Sequence, residues 1–241
     1  GLLLSENIIS ELKELAPTYI DVSLDGNRKS HDSIRGEGTY DKLIANLGKL
    51  AQAGLSDKVF ISFTLNKLNK DDIADVVCLV NELGIKNILL SPYVTVKKED
   101  ELYMSDGEMA DVIMGMVHRD TLEISRYENM KILVKSDFST SRELMESLRQ
   151  KGLINPENLF VDEYGVMFNR YEVGNNVVMI NYLPYDNTYA QAIRISHDGY
   201  VSGCLDMFYK DYKSRAVGNI NNTPIRQIIE AAKHSLTQHI V

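Results

Sequence analysis

Ser23, Asp25, His31, Asp32 and Arg35 fall within one run, residues 19–36, YIDVSLDGNRKSHDSIRG. The run begins apolar and ends polar, with glycines at Gly26 and Gly36. It reads as a strand over residues 19–24 that opens into a polar loop. In barrels and open α/β sheets, the C-terminal end of a strand is where ligands bind. Arg35 offers the planar donor fork that suits a carboxylate or phosphate. Ser23 and Asp25 can meet a ligand amine, carboxylate or ribose. The same letters also have plainer readings. Asp25-Gly26 equally makes an Asx turn, Asp32 equally caps a short turn, and Arg35 equally serves as a solvated side chain. A metal at His31 and Asp32 is disfavoured, because adjacent residues rarely share one ion and no third ligand is evident.

Two further strand ends carry polar groups. Asn66 and Asn69 follow the run KVFISFTL, where they serve as cap and turn residues, with Asn66 also at the strand's ligand-binding end. The run NILLSPYV closes on Leu90, Ser91 and Pro92, whose main chain can border a nucleobase edge. Of the two cysteines, Cys78 sits among Val77, Leu79 and Val80 and reads as a packed thiol. Cys204 follows the hairpin-like DGYVSGC. There is no Cys-x-x-Cys, P-loop, GxGxxG or nucleophile elbow.

The elements that position these groups follow from periodicity. Helical spacing of apolar residues predicts helices over residues 5–15, 40–53, 70–83, 106–122, 139–151 and 223–235. Ser5 and the SDGE run read as N-caps. Met109, Ile113, Met114 and Met116 read as a core face. β-Branched and aromatic runs predict strands over 19–24, 58–65, 87–94 and 129–134. The first three start about 30 to 40 residues apart, the length of a βα unit. Alternating helix and strand predicts a parallel sheet with right-handed crossovers. After Gly152 the pattern shifts to short alternating runs punctuated by Gly, Asn and Asp, with His197-Asp198-Gly199-Tyr200 as a hairpin turn. A soft boundary is expected near residue 153.

Composition narrows the classes. The chain has 241 residues and a formal net charge of -8, with 44% hydrophobic and 25% charged residues. That charge argues against broad nucleic-acid or anionic-membrane binding. No apolar run reaches the roughly 20 residues that a bilayer span requires. Two cysteines point to a reducing, cytoplasmic setting. A start at Gly1 that runs straight into LLLSENIISELKEL is expected of a tag scar or of a piece of a longer protein.

The order SLDG, HDSIRG, a helix ending in AGL, a strand ending in TLNK, a helix ending in ELGI, then NILLSPY, resembles the radical S-adenosylmethionine enzymes that bear a SPASM or twitch extension. Gly1 is similar to the glycine that closes the third barrel strand there. The match spans residues 1–95, and more loosely 195–232, where DGYVSGC and VGNI resemble the start of the extension. The resemblance implies an α/β fold. Residues 1–152 would be the later part of a partial (β/α) barrel without its N-terminal strands. Residues 153–241 would be a small antiparallel β-hairpin and helix extension.

The resemblance also implies S-adenosylmethionine and a [4Fe-4S] cluster in the parent enzyme, cleaving the cofactor to a 5′-deoxyadenosyl radical that abstracts hydrogen. Ser23 would lie near the methionine moiety and Arg35 near its carboxylate. Leu90, Ser91 and Pro92 would border adenine. Asp25 and Asn66 complete the expected cofactor set, and Cys204 is a candidate ligand for an auxiliary cluster. The Cys-x-x-x-Cys-x-x-Cys loop that holds the radical-generating cluster is absent from this sequence, so that cluster is not expected on this chain alone.

The implied partner is a peptide or small-molecule substrate, with no nucleic acid and no membrane. A strand at 19–24 lacking its neighbour would leave an apolar edge, so a homodimer through that edge is expected. Two other readings stay open. One is a silent, barrel-derived module that binds a peptide or partner. The other is a (β/α) enzyme acting on a phosphorylated small molecule, with Arg35 as the phosphate clamp.

Overall fold

The computed structural model describes residues 1–93, 95, 99–118, 127–134, 142–161, 167–182, 193–196, 198–203, 213, 216–224, 226–228 and 230. The chain forms two compact units, Gly1–Tyr182 and Leu183–Val241. The soft boundary expected near residue 153 falls inside the first of them.

The first unit opens with α1 (Glu6–Leu15), capped by the Ser5 hydroxyl, which accepts from the Ile8 N–H at 3.3 Å. β1 (Ile20–Ser23) follows, then α2 (Arg28–Arg35), α3 (Thr39–Gln52) and β2 (Val59–Leu65). Next come α4 (Ile73–Glu82), β3 (Asn87–Pro92), α5 (Asp106–Val117), β4 (Glu128–Val134) and α6 (Arg142–Gln150). β5 (Leu159–Val161), β6 (Met167–Val173) and β7 (Asn175–Tyr182) complete it.

Seven strands form one sheet in the order β1-β2-β3-β4-β7-β6-β5. β1 to β4 and β7 run parallel, and β7, β6 and β5 pair antiparallel. The first four strands take sequential places, each joined to the next through helices. The side chains of α1, α3, α4, α5 and α6 share one aliphatic core with one face of the sheet. Right-handed crossovers without a reversal of strand order put every connection on the same side. β2 shows the result: Val59, Ile61, Phe63 and Leu65 are buried, while Phe60, Ser62 and Thr64 between them are half-buried on the other face. Each fully buried aliphatic contributes roughly 1.5–3 kcal/mol, so the helix-covered face carries the stability and leaves the other available for ligands. β1 and β5 stand at the ends of the sheet.

The second unit carries an antiparallel sheet of β8 (Ile193–Ile195), β9 (Tyr200–Gly203) and β10 (Gly218–Asn219). The turn expected between β8 and β9 is there: the Ser196 N–H donates to the Tyr200 carbonyl at 2.8 Å, and Gly199 has φ +85°. His197 and most of the helix expected over 223–235 lie outside the described residues. No helix among the described residues is long and apolar enough to cross a membrane.

Two expectations need correction. Residues 28–35, read as polar loop, form α2, because the Asn27 side chain accepts from the Lys29 and Ser30 N–H groups at 3.0 and 3.3 Å. The helix expected from residue 70 starts at Ile73, and the Asp72 carboxylate makes no cap to it. That carboxylate instead accepts from the Asn27 N–H at 3.2 Å and the Asn27 Nδ2 at 2.9 Å.

Gly26 sits where these loops meet. Its φ is +116°, and a Cβ there would lie 2.5 Å from Asp72 Oδ2 and 3.0 Å from the Ser30 Cβ. Gly38 has φ +75° with nothing within 4 Å of such a Cβ. Gly38→Ala should therefore cost about 1–2 kcal/mol from backbone strain alone, whereas Gly26→Ala should cost about 3 kcal/mol or more. Urea unfolding of both variants checks this, and equal losses would count against the crowding at Gly26.

Candidate functional site

The C-terminal ends of β1, β2 and β3 meet the start of α2. Asp25 is fully buried there. A buried carboxylate is costly unless it is hydrogen-bonded and paired, and each of its oxygens has a partner. Oδ1 accepts from the Thr64 N–H at 2.7 Å, and Oδ2 accepts from Arg35 Nε at 2.6 Å. The Asp25 main chain is held as well. Its N–H donates to His31 Nδ1 at 3.1 Å, and its carbonyl accepts from Asn69 Nδ2 at 3.3 Å.

The helix α2 explains how Arg35 reaches Asp25. The Asn27 cap fixes where the helix begins, and Arg35 ends it two turns later. The Arg35 side chain is 44% exposed. Its Nε faces Asp25, and among the described residues its Nη groups have no partner. Ser30 on the same helix donates to the Leu68 carbonyl at 3.2 Å, tying α2 to the loop after β2. Asp32 turns to the next helix and accepts from the Tyr40 N–H at 2.8 Å and the Gly38 N–H at 3.1 Å. These bonds hold its carboxyl below the usual range, the Tyr40 N–H foremost. Asp32 thus caps α3 and does not point to a metal.

Thr64 is the common neighbour of the predicted residues. The Asn66 Nδ2 donates to the Thr64 carbonyl at 3.0 Å, and its Oδ1 accepts from the Leu68 N–H at 2.9 Å. Asn66 is buried and shapes the loop. Asn69 works beside it, accepting from the Asn66 N–H at 2.8 Å and donating to the Thr64 carbonyl at 2.9 Å. Ser91 lies opposite Thr64 in the β2–β3 register, half-buried on the helix-free face. Ser23 lies opposite Ser62 on that same face. The hydroxyls of Ser23, Thr64 and Ser91 make no hydrogen bond to another described residue. Leu90 points into the helix-side core and Pro92 is buried, so each can border a ligand only through its main chain. Cys204 lies outside the described residues.

The arrangement is an anion-binding guanidinium beside a row of hydroxyls at the mouth of three parallel strands. Thr64, Asn69 and Asp72 complete it without having been placed in the cofactor set. Thr64 carried a signal, because the alternation in KVFISFTL sets Ser62 and Thr64 on one face. The bond from Asp72 to Asn27 spans 45 residues and has no local signature. Among the described residues no three His, Cys, Asp or Glu side chains are grouped to hold a metal ion.

His31 is buried, and its ring lies edge-on to Tyr40 at 6.0 Å. Nδ1 accepts a proton from the Asp25 main chain, so the neutral ring carries its own on Nε2. Burial pushes the imidazole below its ordinary value; Asp25 and Asp32 pull it up and Arg35 pushes it down. As pH falls below about 6.5 the unfolded chain takes up the proton first, so stability is complete above that pH and declines below it. Asp32 adds its own loss below about pH 4, because its folded pKa is also depressed. Urea unfolding between pH 7.5 and 5 should show stability falling by up to about 1.4 kcal/mol per pH unit from this one proton. His31→Gln should flatten that slope, and an unchanged slope in the variant would refute the assignment.

No family model matches the chain. It is 36% identical over 89 residues to the Fe-coproporphyrin III synthase of Methanosarcina barkeri, an alignment covering 36% of this chain and 22% of that protein. It is 24% identical over 164 residues to the sporulation killing factor maturation protein SkfB of Bacillus subtilis, covering 65% of this chain and 40% of that one. The chain therefore spans less than half the length of either curated relative. The SLDG, HDSIRG and TLNK motifs that build the strand mouths, together with these two similarities, make the chain a relative of the radical S-adenosylmethionine enzymes.

Proposed function

We propose that the strand mouths bind S-adenosylmethionine, as the later part of a radical enzyme's partial (β/α) barrel. The observation that carries this reading is the orientation of Arg35. Its Nε is occupied by buried Asp25, which leaves the Nη donors to face a ligand carboxylate. The Ser23 hydroxyl meets the methionine portion, and the main chain of Leu90, Ser91 and Pro92 borders adenine. The sequential parallel strands with helices on one face suit a barrel segment, and β1 offers the edge on which further strands of a longer chain pair. On this reading the barrel part ends at residue 152, and residues 153–241 form the SPASM or twitch-like extension.

The chain's own side chains fit the cofactor's amino-acid end and do not fit an iron–sulfur cluster. Cys78 lies on α4 with its thiol 3.8 Å from the Glu82 carboxylate, and Cys204 is the only other cysteine. Together with a reduced cluster held elsewhere, S-adenosylmethionine supplies a 5′-deoxyadenosyl radical for hydrogen abstraction. This chain's part is to bind and orient. The similarity to a killing-factor maturation protein supports a peptide or protein side chain as the hydrogen donor.

Equilibrium dialysis with S-adenosylmethionine tests the reading. Arg35→Ala should raise Kd about tenfold or more, and Ser23→Ala a few-fold. Decarboxylated S-adenosylmethionine should bind both the parent chain and Arg35→Ala equally, since Arg35 has no carboxylate to grip. Loss of binding to both ligands in Arg35→Ala, or inorganic phosphate displacing the cofactor at low millimolar levels, would sink it.

A further inference from the structure

The helix-free face of the sheet carries apolar residues that the core does not use. Leu89 and Phe168 are each 8% exposed yet stand outside the aliphatic core shared with the helices. Leu133 and Met179, half-buried, are outside it too. The strand registers align them. Ser23 lies opposite Ser62, Ser62 opposite Leu89, Leu89 opposite Leu133, Leu133 opposite Met179, and Met179 opposite Arg170. One row thus crosses six strands, polar over β1 and β2, apolar over β3, β4 and β7, and basic on β6. Neighbouring strands are about 4.8 Å apart, so the apolar stretch is about 10 Å long.

Charge around the stretch favours an anion. Lys131, two residues before Leu133 on the same face, is exposed and has no ion pair among the described residues. The Arg170 guanidinium pairs with Glu172 at 2.7 Å and lies 5.7 Å from the centre of the Phe160 ring. Both members of that pair are about half-exposed, and exposed pairs are worth little, so a ligand carboxylate competes for Arg170. Two bases and one acid rim the patch in a chain whose net charge is -8.

We propose that this patch holds the substrate, and that the substrate is an apolar body bearing a carboxylate. The apolar body lies over Leu89, Leu133 and Met179, and the carboxylate lies toward Lys131 and Arg170. The row begins at Ser23, so the apolar body sits next to the cofactor groove. That adjacency rests on the S-adenosylmethionine reading; the amphiphile site itself does not.

Fluorescence titration with 1-anilinonaphthalene-8-sulfonate, an apolar anion, tests the site against N-phenyl-1-naphthylamine, the same body without charge. The anionic dye should bind the folded chain about tenfold tighter than the neutral one. Lys131→Glu should weaken the anionic dye about fivefold and leave the neutral dye unchanged. Leu133→Asp should weaken both about tenfold, with near-ultraviolet circular dichroism unaltered. Equal affinity for the two dyes, or dye binding indifferent to both substitutions, overturns the proposal. S-adenosylmethionine dialysis on the same variants separates the two readings. Cofactor binding that survives while the dye fails overturns this inference alone. Dye binding that survives in a chain without cofactor affinity overturns the cofactor reading and keeps the amphiphile site.

Discussion

The first unit's functional end depends on one buried charge. Asp25 has no exposure to water, and an isolated carboxylate in such a place would take up a proton or unfold its surroundings. Its two oxygens are satisfied from two elements, β2 through the Thr64 N–H and α2 through Arg35. Neither partner is interchangeable with water at that depth. The pair therefore fixes the position of α2 over the strand mouths. The His31 and Asn69 bonds to the same residue's main chain hold the loop in register. Gly26 follows because the chain must leave Asp25 through a left-handed turn pressed against Asp72.

The same strands do two jobs through their period of two. Val22, Ile61, Ile88 and Ile132 face the helices, and Ser23, Ser62, Leu89 and Leu133 face away. A singly wound order puts all crossovers on one side, so the second face is spared the helices that would otherwise cover it. Stability and ligand contact are thereby assigned to alternate residues of each strand. Changes on one face need not disturb the other.

Much of this was legible in the letters, and the gaps have physical causes. β2, β3 and β4 announce themselves by β-branched alternation, and α3 and α5 by apolar spacing; the Met-rich face of α5 is core, as its period implies. α2 was illegible because RKSHDSIR has one aliphatic residue, Ile34, and so no periodic stripe. What stabilises it is a cap and tertiary bonds from Arg35 and Ser30, neither of which leaves a repeating pattern. The alternation of β6 and β7 was visible, but not their place in the main sheet. That place depends on β7 pairing parallel with β4, a contact between strands separated by α6 and a hairpin. The polar half of the candidate site showed in the SLDG and HDSIRG motifs, whereas Thr64 and Asp72 act over 39 and 45 residues.

A guanidinium at position 35 can serve two carboxylates at once, and this is why the residue type matters more than its charge. Nε points inward to Asp25, while both Nη groups remain for a second anion on the solvent side. A lysine ammonium presents one head group on a flexible stem, and satisfying the buried carboxylate would draw that head away from the ligand. The inward bond also orders the side chain before any ligand arrives, so less rotamer entropy is lost on binding. Asp25 thus acts on an incoming carboxylate without touching it. The buried pair that the fold requires is also what turns Arg35 toward the mouth of the strands.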